Sequence, residues 1–288
     1  MTPPTPLMPW RSLLYVPAHN EKFIGSAARR GADAVILDLE DGVPPAHKDA
    51  ARRGLEEAAA SVGVDGGNVL VRINRPWGLA WRDLEAVVAA GVGWVILPKV
   101  ETAAQVGVVA EYLGELEAIY EREPTRLLLL TESARGLLAA PDILGSSPRV
   151  CAAIPGNEDL ATELGIEPDP AFMLYTHMPL ILAARAAGVA LLGLIGSGAN
   201  FRNAEAYRQR AQLARSWGFG GATCVHPSQV AILNDVFAPN VSEVNWARAV
   251  VAAFEASGGN PTSVAGSMVD TPVVERAKRL LKALDNDS

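Results

Sequence analysis

Charged side chains stand where apolar runs end in this chain. Ala34-Val35-Ile36-Leu37 leads straight into Asp38, Leu39, Glu40 and Asp41. Carboxylates in such a place cost free energy unless they are paired, hydrogen-bonded or bound to a cation. Other runs finish the same way. Arg72 and Asn74 close one, Lys99 and Glu101 the next, Glu132 another; Asn157, Glu158 and Asp159 follow a fourth, and His226 ends the last. Carboxylates converging with an arginine suit proton transfer, anion binding and the grip of a hard divalent cation.

Such a meeting needs a scaffold whose strands all end at one face. Eight short apolar runs supply candidate strands: 11–17, 32–40, 68–74, 93–100, 126–133, 149–156, 190–197 and 221–227. Runs apolar on both faces suit a parallel sheet covered on both sides. The segments between them, such as KDAARRGLEEAAASV and AYRQRAQLARSWG, are rich in strong helix formers and long enough for crossovers. Eight such units predict an α/β fold, a (β/α)8 TIM barrel over residues 10–240, with a doubly wound open sheet as the alternative. Functional groups on a barrel gather at the C-terminal ends of its strands. Period-2 alternation then puts Asp38 and Glu40 on one face with Ile36. It puts Arg72 and Asn74 with Leu70, and Glu132 with Leu128 and Leu130. Residues 241–288 exceed a bare barrel. They read as helix 242–259, a polar loop 259–272 and helix 273–286, a helical extension serving as lid or subunit contact.

Composition narrows the function. A formal net charge of −7 over 288 residues argues against nucleic acid as partner. No apolar run is long enough to span a membrane. The proline-rich lead, MTPPTPLMPWRSLLYVP, lacks the pattern of a signal peptide. Cys151 and Cys224 sit in separate apolar runs and read as core thiols. Together these features lead to a cytoplasmic expectation. No phosphate-binding G-x-x-x-x-G-K-[ST], no strand-linked G-x-G-x-x-G and no zinc-type histidine spacing is present.

Taken in order, RSLLYVP, GADAVILDLEDGV, VRIN, ILPKVET, TESARGLL, GNEDLATELG, GFGGATCVHPSQV and GSMVDTP resemble the aldolase/citrate lyase family. The likeness is to citrate lyase β-subunits and to malyl-CoA and citramalyl-CoA lyases. It implies Mg²⁺-dependent cleavage of a carbon–carbon bond in a 3-hydroxyacyl thioester, carried on CoA or on an acyl carrier protein. It also implies a homotrimer or dimer of trimers. Glu132 and Asp159 match the family's two metal ligands. They follow neighbouring strands, so one ion between them is geometrically reasonable. The alternatives are a solvated acid at Glu132 and a helix-start acid at Asp159.

Arg72 matches the active-site arginine, binding the substrate oxygen where charge builds; the alternative is an interior salt bridge with Asp38 or Glu40. Asp270 in GSMVDTP matches an aspartate supplied across a subunit interface, which exchanges a proton at the thioester α-carbon. An N-cap of the last helix is the plainer reading. Glu40 and Asp41 are expected to orient Arg72 or water on the metal rather than ligate. Gly193, Asn200, Asn203, Ala222 and Pro155 depart from the commonest family residues. Those departures point to a different acyl group or carrier, while a citryl-carrier lyase subunit or a non-catalytic barrel scaffold remain the competing readings.

Overall fold

The structure is a computed structural model that describes residues 10–63 and 68–285. The proline-rich lead, residues 1–9, lies outside the described residues. Eight parallel strands form one sheet: β1 Ser12–Pro17, β2 Ala34–Asp38, β3 Asn68–Arg72, β4 Trp94–Leu97, β5 Arg126–Thr131, β6 Val150–Pro155, β7 Ala190–Leu191 and β8 Ala222–Cys224. Their order, β7-β6-β5-β4-β3-β2-β1-β8, follows the chain with β8 returning to β1. The sheet curls until Leu192, just past β7, bridges Gly221, just ahead of β8. This is the curled parallel sheet of a TIM-barrel-like fold, and its strand order rules out the doubly wound alternative.

The crossovers carry α1 Glu21–Ala27, α2 Lys48–Arg53, α3 Leu55–Val62, α4 Trp77–Ala89, α5 Ala103–Tyr120, α6 Ala134–Leu138, α7 Ala140–Leu144, α8 Asn157–Leu164, α9 Pro170–Ala187, α10 Ala204–Ser216 and α11 Pro227–Phe237. Gly54 splits the helix expected over 48–62 into α2 and α3. By contrast, α5 runs unbroken through Gly107 and Gly114.

Alternation along the strands sorts the core into two layers. Leu13, Ile36, Leu70, Ile96, Leu128 and Ile154 fill the interior. Leu14, Val35, Leu37, Val71 and Leu129 face the helices. Each such burial is worth roughly 1.5–3 kcal/mol, so period 2 in sequence dictates which strand-end side chains look inward. A buried polar knot holds the ends of β2 and β3 in place. Asp83 of α4 is fully buried and accepts from the Asn74 N–H at 2.8 Å, from Asn74 Nδ2 at 2.7 Å and from Arg52 Nε at 2.7 Å. Lys48 Nζ donates to the carbonyls of Leu39 at 2.9 Å and Glu40 at 2.8 Å.

Residues from Ala238 onward form a second compact unit. It contains α12 Val241–Ala256, a hairpin of β9 Thr262–Val264 and β10 Ser267–Val269, and α13 Thr271–Asp285. Its own core is Ala247, Val250, Val269, Val274 and Ala277. The hairpin replaces the loop expected over 259–272. Its turn needs two left-handed residues, supplied by Ala265 at φ 50° and Gly266 at φ 79°.

Candidate active site

Strand register brings the charged residues together. Asp38 and Arg72 are direct partners across β2 and β3. Arg72 Nε donates to Asp38 Oδ1 at 2.7 Å and Nη2 to Oδ2 at 2.6 Å, a two-pronged ion pair. Asp38 also accepts the backbone N–H groups of Glu40 at 2.9 Å and Gly42 at 2.8 Å. Arg72 Nη1 lies 3.3 Å from Glu40 Oε2. The arginine therefore joins the interior salt bridge that sequence allowed, and its side chain also lines the site's cavity. Below it lies the ring of Tyr15, with the guanidinium carbon 4.7 Å from the ring centroid. Burial pulls against the Arg72 charge. The Asp38 hydrogen bonds and the charges around it more than compensate, leaving its pKa above the ordinary arginine value.

Glu132 follows β5, and the Gly156 N–H, just past β6, donates to the Thr131 carbonyl at 2.9 Å. That pairing sets Glu132 beside the start of α8, whose first turn carries Glu158 and Asp159. A helix start favours negative charge at Asp159. Glu132 is 5% exposed, and its Oε1 accepts the Lys99 N–H at 2.8 Å. Burial pushes the Glu132 carboxyl up to about 9, helped by a hydrogen bond with Asp159 and by the charges of Glu40 and Asp159. A buried carboxyl at Glu132 and an exposed one at Asp159, lining the same cavity, are oxygen donors that a hard divalent cation would take. Among the described residues no three Asp, Glu, His or Cys side chains group to cage an ion. A metal here would take two protein ligands and draw the rest of its oxygens from water and substrate, as a hard ion with open positions does.

The site lines a cavity of about 300 Å³, whose walls include Tyr15, Asp41, Arg72, Glu132, Asn157 and Asp159. Glu40, 3% exposed, sits behind this wall between Arg72 and Lys99. Asp41 is 62% exposed, with Lys99 Nζ 3.9 Å away. Asn74 turns instead to Asp83, among the helices. Asp270 belongs to the second unit. There its Oδ1 accepts the Val273 N–H at 3.4 Å, the N-cap of α13.

Tyr15 and His177 carried no chemical signature in the sequence, and Asn157, placed at the end of its run, carried no assigned role there. Asn157 Oδ1 is 2.6 Å from Nε2 of His177, which is fully buried, and Asn157 Nδ2 donates to the Leu194 carbonyl at 3.1 Å. Burial lowers His177 to about 4, so the ring is neutral at pH 7 and acts as a fixed brace. The unusual residues also find places. A side chain on Gly193 would meet Pro155 Cδ at 3.0 Å. Asn203 caps α10, Asn200 Oδ1 accepts the Arg202 N–H at 3.2 Å, and Ala222 is fully buried at the start of β8.

Gly156 allows Glu132 to pack tightly: a Cβ there would lie 2.6 Å from Glu132 Oε2, and closer still to its Cβ. Gly156→Ala is expected to displace that carboxylate and lower turnover about 100-fold. The fold should lose only about 1–3 kcal/mol. Steady-state kinetics beside a thermal melt checks both.

Comparison with known proteins follows this geometry. The HpcH/HpaI aldolase/citrate lyase family matches residues 11–227. The chain is 35% identical over 283 residues to the citrate lyase subunit beta of Leuconostoc mesenteroides subsp. cremoris, covering 94% of this chain and 92% of that one. It is also 35% identical over 272 residues to the (3S)-malyl-CoA thioesterase of Cereibacter sphaeroides strain KD131, covering 93% and 90%. Among solved structures, the CitE protein of Mycobacterium tuberculosis in complex with magnesium, acetoacetate and coenzyme A superposes with a TM-score of 0.78 at 32% identity, covering 95% of this chain and 97% of that one.

Proposed function

The chain belongs to the HpcH/HpaI aldolase/citrate lyase family and is a lyase, and we propose that its reaction is the Mg²⁺-dependent cleavage, or in reverse the formation, of a 3-hydroxyacyl thioester. Malyl-CoA and citramalyl-CoA are the model substrates, giving acetyl-CoA and a 2-oxo acid. One observation carries the reading: the Glu132 and Asp159 carboxyls line one cavity with the Arg72 guanidinium. In cleavage the 3-hydroxyl gives up its proton to solvent water and becomes a carbonyl. The bond between the α- and β-carbons breaks, and its electron pair passes to the thioester as an enolate, which takes up a proton at the α-carbon.

Glu132 and Asp159 would hold the ion, which would supply positive charge at the hydroxyl and carboxylate end of the substrate. Arg72, fixed by Asp38, presents its remaining N–H groups to the oxygen where negative charge grows. Tyr15 and the Asp38 pair keep the guanidinium from swinging away. Asp270 is assigned the α-carbon proton, delivered in a homo-oligomer, a trimer or dimer of trimers, by a second copy whose C-terminal unit serves as the lid. Glu40 and Asp41 do not ligate; Glu40 orients Arg72, and Asp41 lines the cavity mouth.

The likeness to a (3S)-malyl-CoA thioesterase supports a second reading, hydrolysis of the same thioester. A panel of 3-hydroxyacyl-CoAs, with and without Mg²⁺, separates the two. The lyase reading expects acetyl-CoA with glyoxylate or pyruvate, lost on chelation. Free CoA with the intact hydroxy diacid would instead mark a thioesterase. Citryl thioester on an acyl carrier protein, yielding oxaloacetate, would assign the citrate lyase subunit role. No metal-dependent turnover or binding on any of these would leave a scaffold.

A further inference from the structure

Lys99 has a backbone conformation that its residue type does not favour. It follows β4 at φ 54°, in the left-handed region, where a side chain on Cβ is sterically penalised. Such strain persists where the surroundings require it. Here the twist lets one residue make two contacts in different directions. Its N–H donates to Glu132 Oε1 at 2.8 Å, while its Nζ turns back to Glu40 Oε1 at 3.0 Å. Glu40 is thereby gripped from both sides, with Lys99 on one oxygen and Arg72 on the other. Without that grip Glu40, a buried carboxylate held by the same Lys99 that holds Glu132, would be released beside the Glu132–Asp159 pair.

We propose that Lys99 is a positioning residue that holds Glu40 away from the metal, limiting the site to two carboxylate ligands so that substrate oxygens find open positions. This rests on the metal-site reading above and deepens it. A third carboxylate would tighten the ion and fill a position that the substrate needs. A purely structural lysine would do the reverse, since losing it would loosen the site and weaken the ion.

The test is Mn²⁺ and Mg²⁺ binding by titration calorimetry without substrate, together with kcat and KM for the thioester. Lys99→Gly removes the ammonium yet keeps the left-handed backbone and the N–H to Glu132. It is expected to bind metal about 10-fold tighter while kcat falls and KM rises. Lys99→Arg should return metal affinity close to the parent value, because the charge on Glu40 is restored. In K99G with Glu40→Gln, the tightening should vanish. Equal or weaker metal binding by a folded K99G overturns the inference, as does tightening that survives E40Q. A parent protein that binds no divalent ion at all sinks the metal-site reading, and the inference falls with it.

Discussion

Glu132→Gln is expected to abolish turnover while making the metal-free protein more stable at neutral and alkaline pH. The reasoning starts from burial. Glu132 titrates at about 9 in the folded chain, against an ordinary value near 4.5, because burial and neighbouring acids oppose its charge. Between those two values the native state keeps a proton that the unfolded chain has lost. Stability therefore falls as pH rises from about 4.5 to about 9, and the contribution is whole only below the unfolded value. Glutamine has nothing to titrate, and its Oε1 can still accept the Lys99 N–H. Thermal melts in chelator should show E132Q above the parent at pH 8 and close to it at pH 4.5. Metal affinity should drop at least about 100-fold and kcat/KM about 1,000-fold or more. A gain in stability with a loss of function marks a residue kept for chemistry rather than for folding. Parent-like metal affinity in E132Q would remove Glu132 from the metal site.

Arg72→Met is expected to fail in both respects. Asp38 is 2% exposed, and the guanidinium is its two-pronged partner. Breaking a buried pair by deleting one member strands the other charge and costs about 3–5 kcal/mol. Loss of the charge aimed at the developing oxyanion should lower kcat/KM by about 1,000-fold. Arg72→Lys separates the two effects. A lysine at position 72 would retain the charge and recover part of the stability, but a single ammonium cannot satisfy both Asp38 oxygens and still reach the substrate. Activity should therefore stay at least about 100-fold down while the melting temperature partly recovers. Full activity in R72K would mean that charge alone, not the fork, is what the site uses.

Much of this arrangement was legible before any coordinates. Period-2 alternation placed Asp38, Glu40, Arg72 and Glu132 on the faces that the interior layer now occupies, because apolar partners such as Ile36, Leu70 and Leu128 leave little choice of side. Length and helix-forming crossovers indicated the parallel sheet. What escaped depends on contacts between elements. Tyr15 is one more aromatic in an apolar strand until Arg72 lies across it. Asn157 and His177 sit 20 residues apart and meet only once α9 is docked. The left-handed Lys99 runs against residue preference, so no propensity rule points to it. The hairpin at 262–269 hid behind short strands and an Ala265-Gly266 turn. For Asp270 the sequence left two roles open. The structure shows the N-cap geometry.

A divalent ion held between Glu132 and Asp159 is the claim on which the rest depends. Crystals grown with Mn²⁺ and measured at its absorption edge test it most directly. The account expects one anomalous peak in the cavity, with an oxygen of Glu132 and an oxygen of Asp159 each within about 2.2 Å and water or substrate completing the shell. A peak bound by Glu40 and Asp41 with Glu132 turned away, or an empty cavity at saturating Mn²⁺, would contradict it.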